Sequence, residues 1–167
     1  MKIENAMKAI VAVQESIAIT SPRPMQVHKA WLSAPPQGQL LVASLPCWTN
    51  TWDFVGETRF GMLRQMSYLV SMRLHVAQAT DGDNSLSAEL ALAFLDPILT
   101  AFGQRNAVTG LGGITMRGDV GGTIVPTVSH QNIRGGSPTL AIFEGAPRTI
   151  GLDLVLEVEM SDAFDYS

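Results

Sequence analysis

Residues 149–160 read TIGLDLVLEVEM, a stretch in which apolar side chains recur at every second position. Successive side chains of a β-strand point to opposite faces of the sheet, so this spacing predicts a strand with one apolar and one acidic face. The apolar positions are Ile150, Leu152, Leu154, Leu156, Val158 and Met160. A strand of this kind belongs to a sheet that is covered on one face only.

A second stretch with the same period is 66–76, MSYLVSMRLHV, whose even-numbered residues are apolar. We expect the polar faces of the two strands to be neighbours, with Arg73 or His75 near Glu157 or Glu159. Opposite charges on adjacent strands stabilise a pair by roughly 0.2–1 kcal/mol, so the effect on register is modest. His75 is interpreted as an ordinary histidine of the sheet surface.

Two segments have the apolar period of an amphipathic helix. The first spans Glu4 to Ile19. The second spans Leu86 to about Phe102 and follows the turn Asp81 to Ser85, whose short oxygen-bearing side chains suit a helix N-cap. Pro97 predicts either a kink or a fresh start with Asp96 as the cap. The second helix should bury Leu90, Phe94 or Leu95, Ile98 and Phe102.

Shorter elements lie between the first helix and the strand at 66–76. Met25 to Leu32 is a strand candidate, and Leu40 to Leu45 is a short apolar run that ends at Pro46. Cys47 to Phe60 is rich in aromatic residues and predicts an irregular strand or a loop. Together these elements predict a single α+β domain over residues 1–167, with a mostly antiparallel sheet and two main helices packed on one face.

Residues 103–136 hold nine of the fifteen glycines and four charged residues. Loops of this length are uncommon in compact domains and usually have a function or their own structure. The segment predicts an extended Gly-rich β arm that packs outside its own domain core, on a neighbouring part of an assembly. The alternative is a disordered surface loop, although such loops are usually more polar.

Charge is scarce and unevenly distributed. Charged residues make up 16% of the chain, against an average of about 25% in globular proteins. This favours a surface that partners cover, and a small well-packed monomer is the alternative. Residues 140–167 carry six acids and one arginine, a balance of −5, so the rest of the −4 chain is +1. This balance argues against a nucleic-acid clamp, which needs clustered Lys and Arg.

No residue spacing indicates a cofactor or metal. Cys47 is the sole cysteine, which excludes an intrachain disulfide and a Cys-rich zinc site and favours a reducing compartment. The three histidines stand at no metal-ligand spacing, and residues 110–113 lack the remainder of a phosphate-binding motif. We also expect neither a signal peptide nor a membrane span.

Catalytic patterns are equally absent from the sequence. Ser137 does not lie in a Gly-x-Ser-x-Gly elbow. Glu157 and Glu159 share one strand face, but acid–base catalysis also needs a pocket and opposed pKa values, so a solvated or partner-facing role is the better interpretation. Trp48 and Trp52 are interpreted as core or interface anchors. The sequence predicts no enzyme.

The order of elements resembles the tail terminator (tail completion or neck) proteins of long-tailed bacteriophages. The resemblance rests on the opening helix, on the prolines at Pro35-Pro36 and Leu45-Pro46, on AFLDPIL at 93–99 and on GLDLVLEVEM at 151–160. It covers most of the chain as a pattern of elements. It implies a homo-oligomeric ring, usually of six subunits, that caps the tail tube and meets the head connector or stopper protein.

The resemblance also implies a virion protein of the tail or neck, assembled in the bacterial host cytoplasm, without enzyme activity or cofactor. DNA would pass through the ring without specific binding. We expect an acidic lumen, because like charge keeps DNA moving, while the alternative is that the acids solvate the outer sheet face. The expected lumen residues are Asp153, Glu157 and Glu159. The expected interface residues are Val108, Ile114, Met116, Ile124, Val128, Arg73 and His75.

Two other classes of function stay open. The first is a tail-tube or other neck subunit of a phage, or a subunit of a secretion tube; a tube subunit shares the amphipathic sheet and the Gly-rich segment but stacks into an open-ended tube. An unrelated α+β enzyme or ligand-binding domain needs a concave pocket with convergent polar groups.

Overall fold

The structure is a computed structural model, and it describes residues 3–33, 40, 42–61, 63–103, 127–133 and 137–163. The elements in chain order are helix α1 (Ile3–Glu15), strands β1 (Ala18–Ile19), β2 (Met25–Gln26) and β3 (Lys29–Ala30), a 3-10 turn (Val42–Ser44), strands β4 (Cys47–Phe60) and β5 (Leu63–Gln78), helices α2 (Ser85–Ala93) and α3 (Leu95–Gly103), and strands β6 (Thr127–Ile133), β7 (Thr139–Phe143) and β8 (Thr149–Ala163). The chain therefore has the α+β fold that its sequence predicts.

The main sheet has the strand order β3-β4-β5-β8-β6, and β7 pairs with the first part of β8. Its pairings in the described part of the chain are antiparallel, apart from the short parallel contact of β3 with β4. β5 and β8 run side by side from Leu63 opposite Ala163 to Gln78 opposite Thr149. The prediction that the two amphipathic stretches are neighbours is confirmed.

The apolar positions of β5 and β8 share one face of this sheet, and the helices pack on that face. The alternation is confirmed, because Met66, Tyr68, Val70, Met72, Leu74 and Val76 are buried, as are Ile150, Leu152, Leu154, Leu156 and Val158. The second helical segment buries Leu90, Phe94, Ile98 and Phe102, also as predicted. Fully burying one such side chain is worth roughly 1.5–3 kcal/mol, so this layer supplies most of the driving force for folding.

The interruption expected near Pro97 is present, because Phe94 separates α2 from α3. Asp96 and Pro97 both lie in the first turn of α3, so Asp96 is not the cap. Asn84 is the N-cap of α2, but its side chain bonds to the backbone of Thr80 in place of the helix. Asp83 instead accepts the N–H of Ser85, at 2.9 Å.

Several boundaries differ from the prediction. α1 ends at Glu15, because the chain then turns into β1, and the stretch Met25 to Leu32 holds two short strands in place of one. The apolar run at 40–45 contains the 3-10 turn. Cys47–Phe60 is a long strand paired with β5, with one irregularity between Phe54 and Gly56. Pairing with β5 satisfies the backbone N–H and C=O groups on that side of β4, and this outweighs the irregular composition of the strand.

The two ends of the Gly-rich segment 103–136 belong to the domain and not to an extended arm. Gly103 closes α3, and Thr127–Ile133 pairs with β8 inside the main sheet. Val128 lies opposite Met160 in that pairing, and Ile133 packs against the core. These seven residues belong to the domain because their backbone pairs with the edge of β8. Val108, Ile114, Met116 and Ile124 lie outside the described residues.

Ser85–Phe102 has the length and the mean hydropathy, 1.4, of a helix able to cross a membrane, which the sequence-based expectation of no such span did not foresee. The core helix of a globular protein has the same properties. Only 28% of the segment is buried, but Leu90, Phe94, Ile98 and Phe102 pack into the core beside the sheet, so we interpret the segment as two helices, α2 and α3, that cover the sheet.

Candidate functional site

In the outer half of the sheet, the half that lies beyond β3 and β7, the strand on each side has an edge that no described strand pairs with. β3 pairs only with Cys47 and Trp48 of β4, and the N–H of Trp31 donates to the carbonyl of Trp48. Beyond that point, from Thr51 to Phe60, no described strand pairs with the outer side of β4. At the opposite side of the sheet, β6 pairs with β8 alone among the described strands. This half therefore consists of β4, β5, β8 and β6, and each of its two sides has a strand edge without a partner among the described strands.

Large apolar side chains lie exposed on the β4–β5 hairpin. Trp52 and Phe54 are 44% and 53% exposed on the face that carries the helices, and the ring of each contacts Tyr68 edge-on, at centroid distances of 5.8 and 5.5 Å. Phe60, 61% exposed, lies opposite Leu63 near the hairpin turn. Trp48 is fully buried, so the two tryptophans divide into a core residue and a surface residue.

The face of the sheet opposite the helices is acidic. Cross-strand pairing aligns Asp53, Leu69 and Glu157 in one row and Gly56, Ser67 and Glu159 in the next. Asp153 lies on the same face, where Arg73 is opposite it. Across the described side chains of β4, β5 and β8 on this face, four carboxylates and one guanidinium leave a charge of −3.

The three predicted lumen acids therefore lie on one face. Asp53 is a fourth acid that the sequence analysis missed, since β4 shows no alternation that would have assigned it to a face. Around Glu157 and Glu159 the surface forms a shallow concavity of about 250 Å³, lined also by Val55, Ser67, Tyr68, Leu69 and Val158.

The prediction that Arg73 or His75 lies near Glu157 or Glu159 is wrong, because Arg73 pairs with Asp153. Arg73 Nε lies 3.7 Å from Asp153 Oδ1, and its guanidinium lies 5.3 Å from the centre of the Phe143 ring. Glu157 and Glu159 are opposite Leu69 and Ser67, because the register of an antiparallel pair depends on where the strands begin to pair. Both partners of the Arg73 pair are well exposed, so it contributes at most about 1 kcal/mol.

His75 is buried inside the domain, and its predicted roles at the sheet surface and in an oligomer interface are wrong. The residue is 6% exposed, its Nε2 lies 3.0 Å from Thr49 Oγ1, and its Nδ1 lies 2.7 Å from Thr149 Oγ1. Phe143 of β7 covers the ring at a centroid distance of 4.8 Å. Burial, together with the smaller effect of the nearby Arg73 charge, lowers the pKa of His75 to about 4.

The pH dependence of stability should report this burial. The pKa of His75 is lower in the folded protein than its ordinary value of 6.5, so the unfolded chain binds the proton more tightly. The contribution of His75 to the free energy of unfolding is therefore complete above pH 6.5 and is lost as the pH falls toward 4, by up to about 3 kcal/mol.

We expect urea unfolding of the wild type to show this loss of stability between pH 7.5 and 4.5, and unfolding of His75→Gln to show less of it. The matched control is His28→Gln, at an exposed histidine; an equal loss in all three proteins would contradict the prediction.

The described residues contain no group of three or more His, Cys, Asp or Glu side chains arranged to hold a metal ion. Cys47 is fully buried, and burial raises the pKa of its thiol to about 12, so the reactive thiolate is strongly disfavoured. The described residues therefore provide no cluster for a metal ion, and Cys47 is not an activated thiol.

No protein-family model, curated protein or solved structure matches the chain, so no relative supplies a function.

Proposed function

We propose that the chain is a structural subunit of a closed homo-oligomeric ring that ends the tail tube of a long-tailed bacteriophage and joins it to the head connector. The observation that best supports the ring is that β4 and β6, on opposite sides of one sheet, each have an edge that no other described strand pairs with. When the edge of one copy pairs with the opposite edge of the next, the interface is heterologous, and such interfaces close into rings if the rotation permits.

Strand direction supports this association. The strands β4, β5, β8 and β6 alternate in direction across the outer half of the sheet. β6 of one copy therefore meets β4 of an equally oriented neighbour in the antiparallel sense, which continues the pattern of the sheet. Pairing also satisfies the exposed N–H and C=O groups, which soluble proteins otherwise protect from unwanted association.

The role at the end of a tail rests on the resemblance of the element order to tail terminators and on the acidic face. In a ring whose helices point outward, the face with Asp53, Asp153, Glu157 and Glu159 lines the lumen. Its negative charge repels DNA, so the polyanion passes without being held. The proposed partners are the tail-tube protein and the head connector or stopper, in a virion assembled in the host cytoplasm.

The test is the mass and shape of the purified chain, by light scattering after size exclusion and by negative-stain imaging. We expect closed rings of a single subunit number that persist on dilution through the micromolar range. Stacks of variable length would instead indicate a tube subunit. A monomer at high micromolar concentration would contradict the proposal and favour an unrelated α+β binding domain or enzyme.

A further inference from the structure

Trp52 and Phe54 pack edge-on against the buried ring of Tyr68, and the three rings are called here the aromatic cluster. The exposed parts of Trp52 and Phe54 form an apolar surface that no described residue covers. The cluster lies on the face that carries the helices, yet α2 packs on β5 and β8 and α3 packs on β6. Trp52 and Phe54 belong to β4, at the far edge of the sheet. Aromatic side chains of this size bury 150–250 Å² each when covered and dominate interface energetics.

A second set of exposed apolar side chains lies on α2 and α3. It consists of Leu86, Leu92 and Leu99, which are at least one-third exposed. α2 is apolar on most of its circumference, which is uncommon for a helix that faces only water. The charged residues of the two helices are Glu89 and Asp96, with no basic residue.

The geometry points to these two surfaces as partners: we propose that the aromatic cluster of one copy docks on α3 of the adjacent copy, next to Leu99. This inference rests on the proposed ring. Where β6 of one copy pairs with β4 of the next, the two strands are about 4.8 Å apart. α3 lies above β6, and Trp52 and Phe54 lie on the same face of β4, so the helix and the aromatic rings become neighbours across the joint.

The charges of the two surfaces are complementary. Next to the aromatic cluster on the same face of the hairpin lie Arg59, opposite Arg64, and Glu57, a balance of +1. The two helices carry −2 from Glu89 and Asp96. Opposite signs favour this pairing and disfavour a face-to-face contact of two hairpins or of two helix pairs.

Disulfide trapping tests the contact directly. The variant Phe54→Cys/Leu99→Cys should form intersubunit disulfides under mild oxidation, visible as a ladder of covalent oligomers on a non-reducing gel. Each single variant should give no ladder, since Cys47 is buried and cannot extend the chain of crosslinks. A disulfide within one subunit, seen as a faster-running monomer, would show that the cluster contacts its own helix and would overturn the inference.

Truncation of the cluster supplies the second measurement. Phe54→Ala should raise the concentration at which the ring half-dissociates by about tenfold or more, as expected for a buried aromatic anchor. Phe60→Ala is the matched control, because Phe60 has a similar exposure on the same hairpin and belongs to the opposite face. It should leave the dissociation concentration unchanged. Because both side chains are exposed, the thermal unfolding of either subunit should stay near that of the wild type.

The outcomes separate the two proposals. One result is that the wild type forms rings while the double variant forms no intersubunit disulfide and Phe54→Ala does not weaken the ring. That result would overturn the docking of the cluster and leave the proposed ring standing. A wild-type chain that forms no ring would overturn the proposed function and this contact together.

Discussion

Gly151→Ala is expected to destabilise the fold by about 3 kcal/mol or more, a large share of the roughly 5–15 kcal/mol that holds a domain of this size together. A Cβ atom at Gly151 would lie 1.6 Å from the carbonyl oxygen of Leu74 and 2.8 Å from its carbonyl carbon. Both are backbone atoms of the neighbouring strand, so no side-chain rotation relieves the clash. The two central strands must move apart at the point where they pair.

The cause of this close approach is the register of β5 and β8. Gly151 lies opposite His75, and the pairing is irregular between His75 and Ala77. The local distortion brings the backbone of β5 over the position where a side chain of residue 151 would begin. The absence of a Cβ at this one position is therefore part of the sheet geometry.

Urea unfolding of Gly151→Ala against the wild type measures the effect. Gly56→Ala is the matched control, because a Cβ added there meets no atom within 4 Å. We expect the control to change stability by no more than about 0.5 kcal/mol. Equal stability of the two variants would show that the strands tolerate the extra carbon and would contradict the prediction.

Asn50→Ala is expected to destabilise the fold by about 2–4 kcal/mol, because it breaks a buried pair of amide side chains. Gln14 Nε2 donates to Asn50 Oδ1 at 2.7 Å, and Asn50 Nδ2 donates to Gln14 Oε1 at 2.8 Å. Asn50 Nδ2 also donates to the carbonyl of Trp31, at 2.8 Å. Removing Asn50 leaves the buried amide of Gln14 and the part-buried carbonyl of Trp31 without these partners.

The pair matters because it attaches α1 to β4 across the core, where both side chains are almost fully buried. A double-mutant cycle isolates their interaction. Asn50→Leu/Gln14→Leu should recover part of the stability lost in each single leucine variant, since replacing both polar groups leaves no unsatisfied partner between them. Gln78→Ala, at an exposed amide, is the control and should change stability little. Additive losses in the cycle would contradict a coupled pair.

The sequence by itself determined the elements whose burial follows a local period. Residues 66–76 and 149–160 alternate because each strand has one face in the core, and alternation is a property of the strand alone. The helix after Asp81 was predictable for the same reason, together with the break near Pro97, since the ring of a proline acts within one turn. These patterns also placed Asp153, Glu157 and Glu159 on one face.

Tertiary structure alone decided which residues meet. β4 has buried residues at its start and exposed ones along the rest, so its sequence lacks a period, and pairing with β5 makes it a strand. Arg73 meets Asp153 because register is set by the whole ladder. His75 occupies a polar position of its strand but is buried, because β7, distant in sequence, lays Phe143 over it. The local sequence determines where a strand forms and which of its side chains share a face. The register between strands, the burial of a side chain by another segment and the pairing of strand edges depend on contacts between segments far apart in the chain.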